Sequence, residues 1–228
     1  NKITKSVRID SDRYLFLGVT ENNYLTSTMV KLDGTIDESY GYQGTLIDST
    51  ILPLQNGYYV RQLFAEKINN SIYVGTLENV ISNTTQSYVF EANIRKYNLS
   101  GQLEPSFGTN GKLTISQQVE YFGNINLTSV LNGYLLISYE NSISVNDQNA
   151  FIIDEDGLVL SEFNFNFENS VYNYDSLQLI LDVEYTSDNK LLLLANIDNF
   201  KMVLMRLTQI SSIPNLTFDA GLLQSNLE

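Results

Sequence analysis

The sequence predicts an all-β, β-propeller-like protein built from four repeats of four antiparallel strands, either closed as four blades or forming an arc of a larger propeller. Three observations predict it. A phrase ending in an aromatic residue and a turn former recurs four times. Short apolar runs of strand length stand at matching offsets before each copy. No window sustains a 3.6-residue apolar period, so helix should be minimal.

The phrase is clearest as Gly101-Gln102-Leu103-Glu104-Pro105-Ser106-Phe107-Gly108, continuing through Thr109-Asn110-Gly111. An earlier copy runs from Gly34 to Leu46, and weaker copies span Gly157–Asn164 and Ile213–Leu222. The aromatic anchors are Tyr40, Phe107, Phe163 and Phe218, spaced 67, 56 and 55 residues apart. The longer first interval is assigned to a polar insertion near Val80–Ser87, read as a loop. Gly41, Gly108, Asn164 and Asp219 follow the anchors, and these residue types tolerate positive φ. Each anchor should therefore sit at a left-handed turn leading into the last strand of its repeat.

Upstream, a first apolar run appears at Tyr14–Val19, Ile72–Leu77, Tyr134–Tyr139 and Leu191–Ile197. A second follows at Thr28–Leu32, Tyr88–Tyr97, Ala150–Ile153 and Met202–Leu207. Both sets are rich in the aliphatic and aromatic residues that favour strands. Turn signals precede each first run, and further strand candidates lie before them, as at Val60–Ala65 and Leu179–Thr186. A last strand follows the anchor, as at Gly111–Ile115. Four strands per unit of about 55 residues is the pattern of a propeller blade. The expected organisation is one domain over residues 1–228, with units 1–50, 51–118, 119–166 and 167–228. The alternative is a two-sheet β-sandwich, against which the common register of the four units argues.

The stretch Asp33-Gly34-Thr35-Ile36-Asp37-Glu38-Ser39-Tyr40-Gly41, with its second copy, resembles the delta-60 repeat. Leu160 and Asn215 replace the motif's acid in the last two copies. The resemblance implies a β-propeller repeat of bacterial surface and secreted proteins, and it brings no catalytic residues with it.

Composition narrows the chemistry. The chain has no cysteine, histidine or tryptophan, which removes thiolate nucleophiles, imidazole bases, disulfides and the usual zinc sites. A formal charge of −13 repels phosphate backbones, so a nucleic-acid partner is not expected. The apolar runs are too short to span a bilayer as helices, and no charged and apolar leader opens the chain. Few Lys and Arg with abundant Asn, Ser, Thr and Tyr suggest an extracellular or cell-surface location. No cofactor is expected. Asp154-Glu155-Asp156-Gly157 is the best calcium candidate, yet it lacks the ligand spacing of an EF-hand loop.

Carboxylate pairs can hydrolyse glycosides without histidine, which leaves a glycan-acting enzyme as one alternative. A purely structural spacer within a larger secreted chain is another. The reading preferred here is a non-catalytic module binding a glycan or a protein. Its candidate site lies in the segments joining one unit to the next: Tyr58, Tyr59, Tyr121, Phe122, Tyr172 and Tyr174, with Asn124, Asn173 and Asp175 among them. Aromatic faces stack while amides and hydroxyls hydrogen-bond, a composition suited to sugars and protein loops. Two slots also covary in polarity. Lys31 with Asp37, Lys96 with Glu104, and Ile152 with Leu160 are expected to touch across a hairpin; the fourth repeat has Arg206 and Asn215 there.

Overall fold

The computed structural model describes residues 2–20, 24–48, 59–81, 88–117, 122–129, 135–141, 148–164, 177–186, 190–197, 201–209 and 218–222. All regular structure among them is β. The first sheet contains β1 (Lys2–Arg8), β2 (Arg13–Val19), β3 (Leu25–Lys31) and β4 (Thr45–Asp48). The second contains β5 (Tyr59–Ile68), β6 (Ser71–Ile81), β7 (Tyr88–Asn98) and β8 (Lys112–Gln117). The third contains β9 (Phe122–Ser129), β10 (Leu135–Asn141), β11 (Gln148–Ile153) and β12 (Val159–Asn164). The fourth contains β13 (Leu177–Tyr185), β14 (Lys190–Ile197), β15 (Lys201–Gln209) and β16 (Phe218–Leu222). Every sheet is antiparallel with its strands in chain order. The chain forms two compact units, residues 1–118 and 119–228, each holding two sheets.

In the first unit, β5 lies against β1 and β2. The core between the two sheets contains Leu15, Leu17, Met29 and Tyr40 from the first, and Leu63, Ala65, Ile72, Val74 and Tyr97 from the second. On β6, six consecutive residues from Ile72 to Leu77 are buried. A strand alternates its side chains between faces, so such a run requires cover on both. Gly75 belongs to that run because the Phe64 ring occupies the place of a side chain: a Cβ there would lie 1.7 Å from it. In the second unit, β9 and β10 lie against β13.

The interval between Tyr40 and Phe107 is long for a different reason than a loop insertion alone. Val80 and Ile81 belong to β6 and pair with Val89 and Tyr88 of β7. The extra chain therefore lengthens the hairpin, giving two 11-residue strands where β2 and β3 have 7 each. Apolar Val and Ile favour continuing the ladder over leaving it.

Tyr40 and Phe107 occupy equivalent, fully buried positions in the turn before the last strand of their sheets. Gly41 and Gly108 both have φ of 55°, and a Cβ on either would strike a main-chain carbonyl, at 2.5 Å and 2.4 Å. The left-handed expectation therefore holds in the first two repeats. It fails in the others: Phe163 and Asn164 lie within β12, paired with Ala150 and Asn149, while Phe218 and Asp219 open β16. In the third repeat Ile153 pairs with Val159, so β12 starts two residues after Gly157 and extended strand replaces the aromatic turn. The first two repeats make only isolated bridges at that point, Val30 with Ile36 and Tyr97 with Leu103.

Gly34 and Gly101 hold the same place in their repeats, with φ of 85° and 82°. They differ in surroundings. A Cβ at Gly101 would lie 2.9 Å from the Tyr40 ring, whereas nothing lies within 4 Å of one at Gly34. We predict that Gly34→Ala costs about 1 kcal/mol, from left-handed strain alone. Gly101→Ala should cost about 1–3 kcal/mol more, from overpacking against Tyr40. Urea unfolding of both variants measures this, and equal losses would show that the ring contact does not matter.

Candidate functional site

Of the six aromatic residues expected at the crossings, Tyr59 opens β5 and Phe122 opens β9. Each therefore stands where the chain enters the first strand of a sheet. Asn124 lies within β9. Tyr58, Tyr121, Tyr172, Tyr174, Asn173 and Asp175 lie outside the described residues.

The described residues bring together a different group, at the junction of the first and second sheets. Asp48 ends β4, and its carboxylate accepts a 2.6 Å hydrogen bond from the Tyr97 hydroxyl. The same oxygen lies 3.2 Å from Nε of Arg95. Arg95 and Asp48 are 2% and 8% exposed, so this ion pair is buried. The Arg95 guanidinium also donates to Thr76 Oγ1 at 3.3 Å. Burial, followed by the negative charge of Asp48, pushes the Tyr97 hydroxyl far above its ordinary pKa of 10.0. It stays protonated and can only donate to Asp48. A few ångströms along the same junction, Tyr40 Oη pairs with Ser27 Oγ at 2.7 Å. Burial raises the Tyr40 pKa to about 12. The Gly41 N–H donates to the Ser100 carbonyl at 2.8 Å, a main-chain bond from one sheet's turn to the other's.

No sequence signal marked Asp48 or Arg95. They are an acid at a strand end and one of two adjacent cations within a strand, and only the packing of two sheets joins them. Removing one member of a buried pair strands the other charge in a low dielectric. This junction is a polar clamp, with every named group committed to its neighbours.

The ion-pair expectations divide. Lys96 Nζ lies 3.0 Å from Glu104 Oε2, as expected. Burial alone would lower the Lys96 pKa; the Glu104 hydrogen bond and the adjacent Tyr73 together outweigh it and raise it. Ile152 is buried and Leu160 half-buried on adjoining strands. The Lys31–Asp37 pairing is a mistaken alignment by two residues. Main-chain bonds run from Glu104 N to Lys96 O and from Asp37 N to Met29 O, so Met29 is the true counterpart of Lys96. Met29 faces the core, and Asp37 takes its cation from the neighbouring strand instead: Arg13 Nη1 lies 3.3 Å from it. In the second repeat Ser71 holds the place of Arg13 and donates to Glu104 at 3.1 Å. The acid has kept its place while its cation changed strands.

Asp10 also binds Arg13, at 2.8 Å. At the calcium candidate, Asp154 Oδ1 accepts the N–H groups of Asp156 and Leu158, so this carboxylate shapes its own turn. Among the described residues no three Asp or Glu side chains group to hold a metal ion, and no helix is long and apolar enough to cross a membrane. No family model and no curated protein sequence matches the chain.

Two outcomes are expected of this junction. Asp48→Ala should destabilise by about 3–5 kcal/mol because it removes one member of a buried ion pair, the carboxylate that faces Arg95. Tyr97→Phe, which removes one bond to a charged acceptor, should cost about 1.5–3 kcal/mol. Denaturant titration gives both, and a Tyr97→Phe loss larger than that of Asp48→Ala would reverse the assignment. The second outcome concerns pH. The Ser39 hydroxyl, opposed by burial and assisted by the Ser39 N–H and by Arg13, holds Asp37 below its ordinary 3.8. A depressed carboxylate contributes stability that is complete above the unfolded-state pKa and is lost as pH falls through the folded one. Melting temperature measured from about pH 5 to pH 2 should therefore fall, and fall less steeply in Asp37→Asn.

Proposed function

We propose that this chain is a non-catalytic binding module with β-propeller-like repeats, and that its ligand, a glycan or a protein loop, is held by tyrosines at the crossings between sheets. The observation that carries this reading is the placing of Tyr59 and Phe122 at the entry to β5 and β9. First strands lie side by side within each unit, β1 with β5 and β9 with β13. In a propeller that arrangement puts first strands next to the axis, and the crossings open beside it. Loops on a rigid scaffold are where binding residues concentrate. The likeness of Asp33–Gly41 to the delta-60 repeat supports an extracellular or surface setting.

A second reading, a structural spacer, is favoured by one fact. Tyr40 and Tyr97 are buried at the sheet junction, so tyrosine in this chain also serves packing. One experiment separates the two. A glycan array and a panel of surface proteins would identify a ligand, and Tyr58→Ala, Tyr59→Ala and Tyr121→Ala would then be titrated against it. Two or three anchors should each cost about 1–3 kcal/mol of binding with the melting temperature unchanged. Lowered melting temperatures without loss of binding would identify the rings as packing and favour the spacer.

A further inference from the structure

The tight turn before the last strand is built twice in the first unit, with one chemical difference. In the first repeat Gln43 and Gly44 form its tip, with φ of 51° and 80°. Tyr42 N donates to Thr45 O at 2.8 Å, and Thr45 N to Tyr42 O at 3.1 Å. In the second repeat Asn110 and Gly111 form the tip, with φ of 55° and 82°. Thr109 N donates to Lys112 O at 2.8 Å, and Lys112 N to Thr109 O at 3.2 Å. Positive φ at both central residues is the turn that Asn-Gly adopts most readily. Here it sets an exposed amide beside the main-chain nitrogen of a residue without a side chain. Among the described residues no hydrogen bond holds the Asn110 side chain or the Gly111 N–H. Other asparagines at turns differ. Asn98 Oδ1 accepts from Ser100 N, Ser100 Oγ and Gln102 N, and a leucine follows it. Asn69, with φ of 52°, is followed by a second asparagine.

We propose that Asn110 is a site of spontaneous covalent modification, converting to aspartate and isoaspartate through a cyclic imide formed with Gly111. The Gly111 nitrogen attacks Asn110 Cγ and gives up its proton. A C–N bond forms as the Cγ–Nδ2 bond breaks, and the amide leaves as ammonia. Water then opens the five-membered ring. Attack at Cγ yields aspartate in a normal chain, and attack at the main-chain carbonyl yields isoaspartate, with the chain running through Cγ. No oxidation state changes, and one water is taken up for one ammonia lost. Gln43 has the same turn but would have to close a six-membered ring, a slower step. The fold restrains the reaction without blocking it. Gly111 is buried against Leu103, whose Cγ lies 2.6 Å from where a Cβ would stand, and this packing resists the rotation that brings nitrogen to Cγ. The two products differ in consequence. Aspartate accepts left-handed backbone as asparagine does, so the turn survives. Isoaspartate adds one main-chain atom to a two-residue loop, and both Thr109–Lys112 bonds cannot then persist. Lys112 opens β8 and pairs with Arg95, so isoaspartate loosens the last strand from β7. None of this rests on the ligand reading above.

Peptide mapping by mass spectrometry tests this on the full chain, incubated for weeks at about pH 8 and about 37 °C beside a chain unfolded in guanidinium chloride. The peptide holding Asn110 should gain the mass difference between an amide and an acid, with part of it methylated by an isoaspartate methyltransferase. Conversion should be slower in the folded chain than in the unfolded one, on the order of ten-fold, because the packed turn must open locally first. The peptide holding Gln43 should convert at least about ten-fold more slowly than that of Asn110, and Asn110→Gln should bring position 110 down to the same rate. Asn56 and Asn132, each also followed by glycine, lie outside the described residues, and the map reads them separately. Hydrogen exchange of the aged chain should show lost protection in β8, whereas Asn110→Asp keeps the protection of the parent. An Asn110 that stays an amide in the folded chain while the unfolded chain converts overturns the proposal. So does a Gln43 that converts as fast as Asn110. Equal loss of β8 protection in Asn110→Asp overturns the role given to isoaspartate.

Discussion

The first unit of this protein depends on how one repeat's aromatic turn sits on the next repeat. Tyr40 can lie over the second sheet only because position 101 has no side chain, and Gly101 can take its left-handed conformation only because it is glycine. The ring then fixes the distance between the two sheets, and the Gly41–Ser100 hydrogen bond fixes their register. With spacing and register set, Asp48 meets Arg95 and Tyr97 at bonding distance. The buried ion pair is a consequence of the seating as much as a support for it. A charge pair at this depth contributes little net stability beyond an apolar substitute, but it penalises any misplacement of the sheets.

The repeats reach similar ends by different residues. The acid after the turn glycine keeps its place, yet its cation comes from the second strand as Arg13 in one repeat and from the third strand as Lys96 in the next. Met29 and Ser71 fill the vacated places, one facing the core and the other donating a hydroxyl to Glu104. What persists is a requirement that a half-buried carboxylate be paired, since an isolated one would be costly. The third repeat meets the requirement by removing the carboxylate, with Ile152 and Leu160 in the same places. That repeat also dispenses with the aromatic turn, and β12 begins at Val159, two residues after Gly157.

The turn Asn98–Gly101 of the second repeat is covered by the first repeat, whereas the corresponding turn Lys31–Gly34 presents an exposed Leu32 and an uncovered Gly34. The tyrosines at the crossings pose a separate question, that of ligand binding.

Local composition determined much of this architecture. Alternating and continuous apolar runs placed the second and third strands of each sheet to within a few residues, because strand burial follows a period that sequence displays directly. Glycines at 41 and 108 were legible as left-handed turns, since few other residues accept that backbone. The same spacing misled in the last two repeats, where Asn164 and Asp219 tolerate a left-handed turn but equally accept the strands they occupy. Pairing across the sheets was decided only by tertiary structure. Whether Asp37 meets Lys31 or Arg13 depends on which strand lies beside it, and a two-residue error in alignment leaves the polarity pattern unchanged. Asp48, Arg95 and Tyr97 carry no mark in the sequence, because the low dielectric that makes them a unit exists only once two sheets have closed over them.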